Sequence, residues 1–440
     1  MLMKTNKQLP KILGLLVFWA ANLLLFNGCN DQIKNTVTYA VNEPVYMPFS
    51  EFRAAKTAQP ARKMVHPGKI CLYGDYLFIN EINEGIHVVD NSNPANPTII
   101  AFIELLGNMD VTIKDNLLYA DSYIDLVCFD ISRPAQAKTV GRAENVFPYV
   151  FPPVENDYPV TYDLEKGIVV DWEVKTVTEK EEFRRYYPCP GCYYSIEKSD
   201  YSWASLGGDR ASSVNSSAGT HFKSITGSMS RFAAYGDYLY VVNSNSLKSF
   251  TLSESTITKV GEVYLGWNVE TIFPYDQKLF LGTTNGLLIY SLGDPSKPTY
   301  LSSLSHVLGC DPVVVQGDYA YVTIRGGNVC GQNLSLLDVV DIANPSAPVL
   351  KASFGMKEPY GLGIDGNTLF VCDKGLSIFD ASDPLIVGSR PITQFTSIDG
   401  YDVIPYNDIL ILIGNDGLYQ YDYSDINNIK LLSALKVDNN

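Results

Sequence analysis

The chain has 440 residues, with 33 Lys+Arg against 48 Asp+Glu for a net charge of −15, and it is 46% hydrophobic but only 18% charged. The acidic balance speaks against nucleic acid, because a phosphate-binding surface needs clustered Lys/Arg. Low charge with 29 Tyr, 33 Gly and 24 Pro speaks against disorder and against a helical bundle, and four His leave little material for His-based catalysis.

Lys4, Lys7 and Lys11 form a basic start, followed by an apolar run from Ile12 to Phe26 and then Asn27-Gly28-Cys29. About fifteen apolar residues suit a secretory signal, where a spanning helix needs about twenty. The Gly-Cys ending resembles a bacterial lipoprotein signal, with Phe26 and Asn27 standing where that pattern has Leu and a small residue. The resemblance implies removal of 1–28, a lipid on Cys29, a leader over 29–66, and a protein outside the cytoplasm at the outer membrane or cell surface. A plain signal peptide or a signal anchor is the other reading.

From residue 67 to 437 the chain repeats a four-part pattern: apolar strand, tight turn, apolar strand, loop, a third strand mostly ending in Asp, a Pro-containing turn, and a fourth strand. The tight turn recurs at Gly74-Asp75, Asp115-Asn116, Gly236-Asp237, Asp276-Gln277, Gly317-Asp318, Gly366-Asn367 and Asn407-Asp408, in steps of 41, 121, 40, 41, 49 and 41 residues. Gly, Asn and Asp are the residues that hairpin turns with positive φ demand. Seven units of about forty residues, four strands each, predict an all-β, seven-bladed β-propeller of four-stranded blades; a β-sandwich array or a β-solenoid is the alternative. The 121-residue step places a β-rich insertion, 142–228, between blades two and three.

The third strands Ile86-His-Val-Val-Asp90, Leu126-Val-Cys-Phe-Asp130, Leu337-Asp-Val-Val-Asp341 and Leu376-Ser-Ile-Phe-Asp380, each followed by Asn/Ser/Asp and Pro, resemble the LVIVD repeat of secreted and lipid-anchored bacterial proteins. Leu247-Lys-Ser-Phe-Thr251 departs from it by lacking the Asp. The resemblance implies a propeller and says little of function.

In a propeller the fourth-to-first and second-to-third connections share one face. That face receives everything irregular here: the insertion and the loop 325–335. Loops on a rigid scaffold are the usual place for binding. The insertion carries Trp172, Tyr186, Tyr187, Tyr193, Tyr194 and Trp203, flat apolar faces with polar tips that suit a protein interface or a sugar ring, or else the insertion's own core. One residue per blade stands at the start of the innermost strand, at the channel mouth: Lys69, Asp110, Arg231, Glu270, Asp311, Tyr360 and Asp402. This ring suits a polar ligand, with the oxygens of Asp110, Glu270, Asp311 and Asp402 open to Ca²⁺, or it forms salt bridges between blades. No other cofactor is expected.

Cys310 and Cys330 fall at the same end of a hairpin, and Cys189-Pro-Gly-Cys192 makes a short loop, so both pairs are disulfide candidates in an oxidising compartment. Cys71, Cys128 and Cys372 lie within strands as buried thiols. His66, His87, His221 and His306 share no strand position, and no catalytic motif is present. The expectation is a monomeric, lipid-anchored binding module for a protein or glycan, touching the membrane only through its lipid. The alternative is a propeller hydrolase or lyase with a polar or metal-containing site at the channel mouth. Within the leader, 36–41 would add a strand that closes the ring, or belong to a flexible tether.

Overall fold

The computed structural model describes residues 35–147, 150–154, 156–181, 224–253, 256–305, 312–326 and 334–438. At the seven tight turns, Gly74, Gly236, Gly317, Gly366 and the pairs Asp115/Asn116, Asp276/Gln277 and Asn407/Asp408 all have φ between 44° and 62°. These are the positive values at which hairpin twist matches strand twist. Each turn joins the first two strands of an antiparallel four-stranded blade, and the seven blades form a ring, a β-propeller.

Blade 1 takes Pro67–Tyr73, Tyr76–Glu81, Gly85–Asp90 and Thr98–Glu104; blade 2 takes Val111–Lys114, Leu117–Ser122, Asp125–Asp130 and Lys138–Ala143. Blade 3 takes Phe232–Tyr235, Tyr238–Asn243, Ser246–Ser253 and Thr256–Tyr264; blade 4, Val269–Tyr275, Lys278–Thr283, Gly286–Ser291 and Thr299–Ser305. Blade 5 takes Val313–Gln316, Tyr319–Ile324, Leu336–Asp341 and Val349–Gly355; blade 6, Pro359–Asp365, Thr368–Asp373, Leu376–Asp380 and Thr393–Phe395; blade 7, Gly400–Tyr406, Ile409–Gly414, Gly417–Asp422 and Lys430–Lys436.

The strands read as unbroken apolar runs because a blade is covered on both faces. In blade 1, Phe78 turns towards blade 2 while Leu77 and Ile79 turn towards blade 7. Seven apolar clusters result, one at each seam. The seventh seam joins Ile70, Leu72 and Leu77 of blade 1 to Ile404, Ile411 and Ile413 of blade 7. The ring is therefore closed by packing, with Gln420 Nε2 and Ser433 Oγ of blade 7 also donating to Pro94 O of blade 1. The same bond recurs inside the ring, from Tyr240 to Pro295 O and from Ser302 to Pro345 O.

The Asp that ends the third strand has a local task. Asp90, Asp130, Asp341, Asp380 and Asp422 each accept the backbone N–H two residues on, at 2.9–3.0 Å. Asn93, Asp294, Asn344, Asp383 and Asp425 repeat the bond one step later in their turns, at 3.0–3.2 Å. Tandem Asx turns thus fix the path from third to fourth strand. Asp341→Ala is expected to lower stability by about 1 kcal/mol, measured by urea unfolding, with Asp341→Asn close to wild type.

At the opposite end of the third strand, Gly85, Gly286, Gly375 and Gly417 have φ of 124–149°. A Cβ there would stand 2.0–2.2 Å from a carbonyl oxygen of the fourth strand. Gly286→Ala is expected to cost about 1–3 kcal/mol from backbone strain alone, seen as a lower urea midpoint with an unchanged slope.

The described residues divide into two units. In the smaller, drawn from 35–43, 156–162 and 173–181, the buried Asn42 donates to Asn156 Oδ1 at 2.8 Å and to Tyr158 O at 2.9 Å, and Thr38 and Thr178 share a hydroxyl bond of 3.0 Å. Asn35–Met47 pairs with Ile168–Glu181 in a two-stranded sheet, so residues 36–41 do not close the ring. The insertion strand runs from Ile168 through Val174 to Glu181.

In the larger unit the leader is docked from Pro44 onwards. Its residues 56–58 lie along the outer strand of blade 2, with Thr139 N donating to Lys56 O at 2.9 Å and Ala58 N to Ala137 O at 2.7 Å. Gln59–Pro60 then pairs with Phe102 and Ala101 at the outer edge of blade 1. This part of 29–66 is a strap across two blades, where a free tether was the other expectation.

Candidate functional site at the channel mouth

The insertion returns to the propeller through the channel mouth. Ser224–Thr226 pairs antiparallel with the innermost strand of blade 1, Thr226 opposite Cys71. Gly227 N then donates to Ile70 O at 3.3 Å, and Leu362 N of blade 6 donates to Ser228 Oγ at 2.8 Å. Ser228 N and Oγ both reach Asp402 Oδ1 of blade 7, each at 3.2 Å. Ser230 Oγ donates to Asp110 Oδ1 of blade 2 at 3.0 Å, and Ile272 N of blade 4 donates to Ser230 O at 2.9 Å. Eight residues thus bridge blades 1, 2, 4, 6 and 7 before the chain enters blade 3.

Four of the seven ring residues meet beneath this segment. Lys69 Nζ lies 2.7 Å from Asp110 Oδ2, which also accepts from Arg231 N at 2.5 Å. Arg231 Nη2 reaches Asp121 Oδ2 at 3.1 Å. Asp110 and Asp402 have no exposed surface. Burial lowers the Lys69 ammonium from its ordinary value although Asp110 opposes it, and burial raises the Asp121 carboxyl although Arg231 opposes it. Asp402 is pushed up to about 7, by burial first and against the bonds from Val403 and Ser228. Its Oδ2 is buried without a hydrogen-bond partner. A Cβ on Gly227 would stand 1.9 Å from that oxygen, which is why the segment needs glycine there.

The remaining ring members are elsewhere engaged or undescribed. Glu270 is half-buried in the inner strand of blade 4. The Tyr360 ring carries the Arg325 guanidinium 4.0 Å from its centre, and its hydroxyl lies 3.2 Å from Glu358. Asp311 lies outside the described residues. Among the described residues no three His, Cys, Asp or Glu side chains converge as a metal would require.

Sequence reasoning missed the carboxylates that end second strands. Asp121 Oδ1 accepts Met109 N and Asp110 N, Asp373 Oδ1 accepts Lys357 N and Glu358 N, and Glu81 accepts Val65 N and His66 N. Each caps the two N–H groups leading into its own blade. An acidic residue closing an otherwise apolar strand was the available signal.

At the root of the insertion, Asp125 is fully buried and receives Arg53 through Nε at 2.8 Å and Nη2 at 3.1 Å, Arg142 at 3.0 Å and Asn145 N at 2.9 Å. Phe52, Tyr123, Ile124 and Ile168 pack beside it. Lys248, buried on the third strand of blade 3, donates to Val146 O, and burial pushes its ammonium down to about 8. Trp172 is half-buried, its Nε1 bound to Pro152 O at 2.9 Å. Tyr186, Tyr187, Tyr193, Tyr194, Trp203, Cys29, Cys189, Cys192, Cys310 and Cys330 all lie outside the described residues. Cys71, Cys128 and Cys372 are buried free thiols.

These features define a seven-bladed propeller whose mouth is crossed by its own insertion. The LVIVD repeat family matches residues 67–102, 226–248 and 310–355, so the chain carries LVIVD repeats, in blade 1, in the returning segment with the start of blade 3, and in blade 5. No curated protein matches the sequence. Among solved structures, the chain is similar to a chain of the mitotic checkpoint complex (15% identity over 42% of this chain and 58% of that one, TM-score 0.33). It is also similar to PorZ, a bacterial surface component of the type-IX secretion system of Porphyromonas gingivalis (12% identity, 87% and 39%, TM-score 0.46). A third is the dihydro-heme d1 dehydrogenase NirN (9% identity, 86% and 68%, TM-score 0.47). The chain spans less than two thirds of the first two.

Proposed function

We propose that the protein is a binding module held outside the cytoplasm by a lipid on Cys29, and that it takes a protein or glycan on the face where the insertion sits. One observation carries this reading. The two-residue turns of one face repeat in all seven blades and Asx turns follow the third strand in six of them, whereas the other face gathers the leader's helix Phe49–Phe52, the insertion root and the returning segment. A scaffold that keeps one face uniform and elaborates the other is built to present the elaborated one.

The test is a glycan array and a surface-extract pull-down with the soluble chain from Asn30. The comparison protein carries Ala at Tyr186, Tyr187, Tyr193, Tyr194 and Trp203, with an unchanged melt; Trp172 is kept because its indole is bonded inward. Binding lost in the substituted protein supports the reading. Binding that persists removes those aromatics from it, and binding by neither protein removes the partner. Separately, Cys29→Ser is expected to abolish incorporation of a labelled fatty acid and to move the protein from the membrane fraction to the soluble one.

A further inference from the structure

We infer that residues 224–231 form a detachable latch over the channel mouth, one that undocks as a unit while all seven blades stay closed. Three observations carry the inference, and none depends on what the insertion binds.

First, the propeller is complete without the segment. Every blade has four strands of its own, and the seven seam clusters draw from 224–231 only the half-buried Ile225 at their edge. Second, the attachment is thin. It consists of a three-residue ladder to blade 1, the bonds of Gly227, Ser228, Ser230 and Arg231, and a single ion pair with each of Asp110 and Asp121. Third, docking leaves a defect. Asp402 Oδ2 is sealed beneath Gly227 with no donor, whereas undocking returns it to water. The neighbouring Lys69 and Asp110, and the latch's own Arg231, would be hydrated in the same step. Since the segment is the end of the insertion, force or ordering applied to the insertion reaches the channel through it.

A natural probe lies under the latch. Cys71 Sγ is 3.2 Å from Ser224 Oγ and fully buried, and burial raises its thiol to about 12, so it reacts only when uncovered. Cys128, equally buried within blade 2, reports opening of the blades themselves, whereas Cys372 neighbours Asp402 beneath the latch and is left out of the comparison. The wild-type protein is exposed to a maleimide under native conditions and the two sites are followed by peptide mass. Cys71 should label at least tenfold faster than Cys128. Equal rates for the two would mean that Cys71 is reached only when the blades open, and the latch would not exist. As a second measurement, Ser224→Cys oxidised onto Cys71 should slow amide exchange of residues 225–230 at least tenfold relative to its reduced form; no slowing would equally overturn the inference. The wild-type labelling decides the matter alone if the variant fails to fold.

Discussion

Replacing Asp125 with alanine should destabilise the propeller by about 3–5 kcal/mol, the usual cost of stripping one partner from a buried ion pair. Its carboxylate is fully enclosed and binds both Arg53 and Arg142, whose side chains are 21% and 10% exposed, while Arg53 keeps a second ion pair to Glu144 at 2.6 Å. Without it Arg53 falls back on Glu144 and the Arg142 guanidinium loses its ion pair beside Phe52, whose ring centre lies 5.5 Å from its central carbon. The leader and the root of the insertion should loosen together. Urea unfolding gives the loss, and amide exchange at 49–60 and 144–147 shows where it falls. A change below 1 kcal/mol would mean that the two arginines find water easily and that the strap is held by its strand pairing instead.

Stability should fall as pH rises from about 4 to about 7, by on the order of 4 kcal/mol at most, through Asp402. The ordinary value of the carboxyl is 3.8, and burial raises it to about 7 in the fold. The folded state therefore keeps a proton that the unfolded state gives up, and its advantage is complete below the ordinary value and gone above 7. Tyr401, Cys372 and Lys69 are its charged or titratable neighbours. Other carboxylates act in the opposite sense: Asp90, Asp341 and Asp422 are held below their ordinary values by turn hydrogen bonds, and lose stability only as pH falls through that range. The informative quantity is thus the difference between wild type and Asp402→Asn. It should grow from pH 4 to pH 7 in favour of the variant and then level off. A difference that does not change with pH would show that Asp402 ionises freely.

The propeller could be read from the chain because its rules are local. A positive-φ turn every forty residues, an Asp that caps its own turn and an apolar run on each strand are all contained within a few neighbouring positions. Alignment of the inner strands picked out four ring residues that do meet, Lys69, Asp110, Arg231 and Asp402, together with Tyr360, which is engaged by Arg325 and Glu358 instead. What the four meet around was not legible. Ser224–Thr226 is three residues long, has no periodicity, and finds its partner about 150 residues earlier, so nothing local announces it. The same holds for Arg53 and Asp125, 72 residues apart, which pair only because the leader is laid across blade 2. Thr36–Val41 misled for the opposite reason. Its β-branched composition does predict a strand, but composition cannot name the partner, and the insertion supplied one.

Because the seventh seam is packed like the other six, no blade is shared between the two ends of the ring. Asp438 N donates to Met64 O at 2.8 Å, so the point where the repeats start and the point where they stop are hydrogen-bonded neighbours. A circularly permuted chain, with these two points joined and new termini opened between blades 3 and 4, would keep every blade made of contiguous sequence. The order in which the blades leave the ribosome is therefore separable from the architecture they build.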